Sequence, residues 1–117
     1  MSIEWVSHKG KKILVIDYSG LEIADQLEQI KEAVNILVKS GNKDNLSLTD
    51  VSKTNLTQEF AEMAKIMGKQ SALVTKKAAI VGVTGIRKII LNTVNSISGN
   101  SRKPFDTVEE AKDWLVE

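Results

Sequence analysis

The chain has 117 residues, 42% of them hydrophobic and 26% charged, a balance that suits one globular domain over residues 1–117 with a single core. It contains no cysteine and one histidine, which excludes disulfides, thiolate metal sites, multi-histidine metal centres and cysteine nucleophiles. The net charge is only +1, but it is unevenly spread: Met63 to Phe105 holds no Asp or Glu and carries Lys65, Lys69, Lys76, Lys77, Arg87, Lys88, Arg102 and Lys103.

Ile3-Glu-Trp-Val6 opens as a short strand, and Lys9-Gly10-Lys11 signals a turn in which Gly10 takes a positive φ. Lys12-Ile-Leu-Val-Ile-Asp-Tyr18 follows as a continuous apolar run, the pattern of a strand covered on both faces. Ile23, Leu27, Ile30, Val34 and Leu37 then recur at spacings of three and four, giving one apolar stripe on a helix. Ser19 and Glu22 have capping-box spacing at its start, and Gly41-Asn42 stops it.

Asn45 to Val51 reads as the third strand, with Leu46 and Leu48 inward. Asn55 and Gln58 are spaced as a second capping pair, before a helix carrying Phe60, Met63, Ala64 and Met67 as far as Gly68. Lys77 to Val83 is the next buried strand. Gly85 turns the chain into a helix with Ile86, Ile89, Ile90, Thr93, Val94 and Ile97. After a loop at Ser98 to Ser101, Arg102-Lys-Pro-Phe105 makes a short strand that Pro104 places at an edge. Thr107 and Glu110 cap a last helix bearing Ala111, Trp114 and Leu115. The order ββαβαβαβα predicts an α/β fold: a mainly parallel five-stranded sheet, an N-terminal antiparallel hairpin strand and four helices. The expected core includes Leu27, Ile30, Val34, Ile80, Ile90 and Trp114, and both Trp5 and Trp114 are expected to pack.

Three phrases in this order resemble the STAS domains, the sulfate-transporter and anti-sigma-factor-antagonist family, and within them small bacterial proteins similar to the sporulation antagonist. They are Gly10-Lys-Lys-Ile-Leu-Val-Ile-Asp-Tyr-Ser-Gly-Leu21, Lys77-Ala-Ala-Ile-Val-Gly-Val83 and Pro104-Phe-Asp-Thr-Val-Glu-Glu-Ala-Lys-Asp-Trp-Leu115. The resemblance spans nearly the whole chain. It implies a non-enzymatic binding or regulatory module that acts by protein–protein contact, a kind of module that in some members is switched by phosphate on a Ser or Thr after the second parallel strand. In this sequence that place offers Asp50, Ser52, Thr54, Asn55 and Thr57, without the glycines of the antagonists' Asp-Ser-Ser-Gly-Leu-Gly phrase.

Other chemistry is weighed at the carboxyl ends of the strands, where open α/β sheets bind ligands. Asp17, Asp50, Thr84 and Lys103-Pro104 together invite a receiver-like phosphotransfer reading, but a receiver has five parallel βα units and the pattern here supplies four. Thr84 and Gly85 at a helix start, with Arg87 close by, invite a small-ligand or phosphate site without the spacing of a Walker or dinucleotide motif. Ser, Thr, Asp and Asn also gather in loops simply to cap helices and close turns. His8 has no visible catalytic partner in the sequence.

The basic stretch lacks the aromatic residues that stack on single-stranded nucleic acid. Apolar runs such as Ile13 to Ile16 fall far short of the roughly 20 residues that cross a bilayer. No signal-peptide pattern is visible at Met1 to Trp5. The expectation is a cytoplasmic protein with no catalytic residue, metal or cofactor, working through a protein partner and not through nucleic acid or a membrane.

Overall fold

The computed structural model describes residues 2–83 and 102–117. Strands β1 (Ser2–His8) and β2 (Lys11–Asp17) form an antiparallel hairpin in which His8 faces Lys11. The two residues between them, Lys9 (φ 50°) and Gly10 (φ 83°), both take positive φ. That is the type I′ geometry, whose twist matches the strands it joins. Helix α1 (Ile23–Lys39) leads to β3 (Asn45–Asp50), and α2 (Gln58–Ala72) leads to β4 (Thr75–Val81). The described chain ends with β5 (Arg102–Phe105) and α3 (Val108–Leu115).

The five strands lie in sequential order, β1-β2-β3-β4-β5, and every pairing after the hairpin is parallel. The α/β class, the mixed five-stranded sheet and the edge position of the Pro104 strand agree with the sequence pattern. Three of the four expected helices are seen; the helix expected around Ile86 to Ile97, with Ile90, lies outside the described residues.

Strand alternation divides the core in two. Leu14, Ile16 and Ile80 face α1 and α2, packing with Ile30, Ala33, Leu37 and Phe60. Ile13, Leu48, Ala79 and Val81 face the other way, onto Ala111 and Leu115 of α3. Both crossover helices that are seen therefore cover the same face. The strand order never reverses, so the sheet has no switch point of the kind that opens a ligand crevice at the strand ends.

The apolar stripe of α1 is corrected at its start. Ile30, Val34 and Leu37 are buried as expected, but Gln26 and Gln29 are buried where Ile23 and Leu27 were expected, and those two are only half-buried. The cause is backbone polarity beneath the first turns. Gln29 Nε2 donates to the Asp17 carbonyl (2.7 Å), while its Oε1 accepts from the Ser2 N–H (3.1 Å). Gln26 Nε2 donates to the carbonyls of Leu21 (3.0 Å) and Asn55 (3.3 Å). A leucine at either place would strand those groups away from water.

Two caps also differ from expectation. Ser19 does not cap α1; its N–H donates to Asp17 Oδ1 (2.9 Å), and Glu22 holds the cap position without a side-chain bond. Helix α2 is capped by Thr57, whose Oγ1 accepts from the Phe60 N–H (3.1 Å), instead of by Asn55. The third cap is as expected, with the Glu110 N–H donating to Thr107 Oγ1 (3.2 Å). Trp5 is 41% exposed and does not pack as expected. Trp114 is half-buried against Phe105, with Lys77 Nζ 4.8 Å and Lys103 Nζ 5.3 Å from its ring centre. Part of the basic stretch thus holds α3 to the sheet.

Candidate functional site

The carboxyl ends of β2 and β3 are side by side, with Asp17 opposite Asp50 in the register. Each aspartate braces its own turn. Asp17 Oδ1 takes the Ser19 N–H, and Asp50 Oδ1 takes both the Ser52 N–H (2.9 Å) and the Ser52 hydroxyl (2.6 Å). Asp and Asn hold turns this way because the short side chain reaches the N–H two residues on. The two turns are then laced together: the Tyr18 N–H donates to the Asp50 carbonyl (3.0 Å) and the Gly20 N–H to the Lys53 carbonyl (3.1 Å).

A third contact comes from β4. Gly82, just past its end, has φ +96°, and a Cβ there would lie 2.5 Å from both the Cα and N of Ser52. Only glycine gives this close approach and this backbone angle together. The result is a firm rim built from the ends of three adjacent strands.

The residues marked out in the sequence separate on this rim. Ser52 and Asn55 are exposed, and Asp50 is half-buried beside them. Thr54 is buried, its Oγ1 turned away from solvent, which removes it from the hydroxyls a phosphorylating enzyme could reach. Thr57 is half-buried and its oxygen is committed to capping α2. Thr84, Gly85 and Arg87 lie outside the described residues.

Each aspartate is engaged in its own turn through one carboxylate oxygen. Among the described residues no group of three or more His, Asp or Glu side chains is placed to hold a metal ion, and no helix is long and apolar enough to cross a membrane. His8 does find a partner: its Nε2–H donates to Asp113 Oδ1 (2.8 Å), and Lys9 Nζ is 3.2 Å from the same oxygen. These contacts, His8 first and then Lys9, hold the Asp113 carboxyl below its ordinary range. They tie the β1–β2 turn to α3 on the surface, at the end of β2 opposite the rim.

A second feature lies beneath the rim. Between the sheet and α1 and α2 is a cavity of about 90 Å³, bordered by Ile30, Val34, Met67 and Ile80 on its apolar side and by Tyr18, Ser47, Thr49 and Arg102 on its polar side. Arg102 stands opposite Ala78, on the same face of the sheet as Ile80, and its Nη1 is buried. It is therefore not part of an exposed basic surface with Lys76. Burial lowers the Arg102 pKa, and burial also raises the Tyr18 phenol, with the nearby Arg102 charge acting the other way.

None of this cavity was anticipated from the sequence. One signal was readable: Ser47 and Thr49 alternate with Leu46 and Leu48 on a strand covered on both sides, where apolar residues are the rule. The chain matches no protein-family model, no curated protein and no solved structure.

Proposed function

We propose that this chain is a STAS-like regulatory module of the cytoplasm, non-enzymatic, which binds a protein partner through the rim formed by Asp50, Ser52, Lys53 and Asn55, with Ser52 as the position where phosphate would switch binding. The observation that carries the reading is the construction of that rim. Ser52 and Asn55 are exposed on a turn held by Asp50, by the neighbouring turn and by the close approach of Gly82. A surface already ordered before contact loses little conformational entropy on binding.

The same geometry gives the switch its direction. The Ser52 hydroxyl donates to Asp50 Oδ1. A phosphate at that oxygen removes the donor and sets roughly −1.5 to −2 charges against a carboxylate. Repulsion from Asp50 and from Asp17 across the register opens the turn and alters the face that a partner meets.

The test is photocrosslinking in the cells that make the protein, with a photoreactive amino acid at Lys53 and, separately, at Lys76, which is exposed at the start of β4. The reading expects a discrete protein adduct from Lys53 and none from Lys76. An adduct from Lys76 alone moves function to the basic surface, and no adduct from either position rejects the partner-binding role.

A further inference from the structure

Among the described residues, the two edges of the sheet are built differently. β5 is four residues long and carries Lys103 and Pro104, the second of which has no N–H to offer. Short length, lysine and proline are the means by which edge strands avoid pairing with another chain. β1 has none of them. It is seven residues long, contains neither lysine nor proline, and pairs with β2 in an unbroken register from Ser2 to His8.

The direction of its free polar groups follows from the neighbouring ladder. The Tyr18 N–H donates to the Asp50 carbonyl, toward β3. Backbone groups of successive residues turn to opposite sides of a strand. Leu14 and Ile16 therefore also turn to β3, while Lys11, Ile13, Val15 and Asp17 turn to β1. The residues of β1 opposite those four are His8, Val6, Glu4 and Ser2, which spend their ladder groups on β2. Ile3, Trp5 and Ser7 then aim N–H and C=O outward, and these groups have no hydrogen-bond partner among the described residues. Trp5, at the centre of the row, is 41% exposed, and Ser7 is exposed as well.

Such a row is complementary to itself. Two β1 strands set antiparallel about a two-fold axis at Trp5 place Trp5 opposite the partner's Trp5 and Ile3 opposite the partner's Ser7. Every outward N–H then meets an outward C=O. A slip by one pair in one direction sets Glu4 directly opposite the partner's Glu4, and like charges so placed repel. A slip in the other direction sets Ile3 against the partner's Lys9, in the turn. Charge favours the antiparallel sense, because Glu4 then lies toward the partner's His8 and Lys9, the basic end of the hairpin. The two exposed Trp5 rings cover each other across the axis.

We propose that the chain forms a two-fold dimer through antiparallel pairing of β1 with β1 of a second copy, centred on Trp5, so that one sheet runs through both copies. This surface is separate from the rim and does not rest on the function proposed for it.

The test joins sedimentation equilibrium of the full chain, from about 5 to about 200 µM, with amide hydrogen exchange over the same range. The mass of two chains is expected at the upper end. Exchange at Ile3, Trp5 and Ser7 should slow at least about tenfold as concentration rises, while Glu4 and Val6 are protected throughout. Ser7→Pro removes an outward donor without touching the ladder to β2, and Trp5→Lys gives β1 the kind of charge that β5 carries. Each should weaken the dimer at least about tenfold. Amide spectra report whether each variant is folded, and Trp5→Lys, which leaves the backbone groups in place, supplies the readout if proline unfolds β1. The proposal is overturned if the wild-type chain is a monomer at every concentration, if it dimerises while Ile3, Trp5 and Ser7 exchange unprotected, or if folded Trp5→Lys dimerises as well as the wild type.

Discussion

Gly82→Ala is the substitution that most sharply probes how the rim is built. Two costs combine at this position. Gly82 has φ +96°, in the region that side-chain-bearing residues avoid, and holding alanine there costs about 1–2 kcal/mol. The new methyl would also lie 2.5 Å from the Cα and N of Ser52 and 2.8 Å from its Oγ. Two of those three atoms are backbone, so the turn must move rather than rotate a side chain, and forcing an extra carbon into packed structure costs about 1–3 kcal/mol. The expected loss is about 2–5 kcal/mol in all. Gly41→Ala supplies the comparison, because Gly41 has φ +77° with nothing within 4 Å of its would-be Cβ. It should lose only the backbone cost, about 1–2 kcal/mol. Urea denaturation measures both, and unchanged slopes would show that the unfolded reference is the same. If Gly82→Ala is no more destabilising than Gly41→Ala, the Asp50 turn does not press on the end of β4 and the account of the rim fails.

Other substitutions test the interior and the surface tie. Ile30→Ala removes a side chain that is 6% exposed in the core beneath α1, and should cost about 2–5 kcal/mol by denaturation. Gln29→Leu leaves the Asp17 carbonyl and the Ser2 N–H without their partner; it should cost about 1–3 kcal/mol and speed hydrogen exchange in β1, which an apolar role for this position would not do. Asp113 has its pKa lowered in the folded state, so the unfolded chain binds more protons in the acid range and stability rises with pH there. The contribution of the His8–Lys9–Asp113 tie is present above about pH 4 and is lost as the pH falls below it. Thermal melts from about pH 2 to 6 should show a shallower acid loss in Asp113→Asn than in the wild type.

Backbone economy explains which parts of the fold were legible in the sequence. The Lys9-Gly10 turn and the runs Ile13 to Ile16 and Ala78 to Val81 state their conformations locally, so the hairpin and the central strands follow from a few residues each. The start of α1 is different. Apolar spacing favours Ile23 and Leu27, yet the ground beneath the helix is made of loop carbonyls from Asp17, Leu21 and Asn55, and donors are needed there. Periodicity cannot register that demand, because the acceptors come from elsewhere in the chain. The caps of α1 and α2 differ from the pattern for a milder reason, while Thr107 caps α3 as its spacing with Glu110 predicts: the turn regions before α1 and α2 offer more than one short polar side chain, and which of them reaches the first turn depends on the path of the loop.

The rim aspartates and Ser52 were visible as strand-end residues, but their mutual engagement was not. Thr54 and Thr57 look equivalent to Ser52 in sequence and differ wholly in exposure or in what their oxygens do. Tyr18, Ser47 and Arg102 meet only because β2, β3 and β5 lie in one sheet with the same face turned to α1 and α2. The hydroxyls placed inward on β3 were the one local sign of that meeting.

The claim at the centre of this account is that the exposed turn at Ser52 is the working surface and is controlled by charge. The most direct measurement is the yield of the Lys53 photo-adduct in the Ser52→Glu background, compared with the wild type at matched expression and with thermal stability recorded alongside. The substitution removes the hydroxyl bond to the Asp50 carboxylate and sets a negative charge beside it, so stability should fall by about 1.5–3 kcal/mol, with the exposed position keeping the cost to the turn. The account predicts that the adduct falls at least about tenfold, a change of roughly 1.4 kcal/mol in binding, while the protein stays folded. An undiminished adduct from a folded Ser52→Glu protein would contradict it.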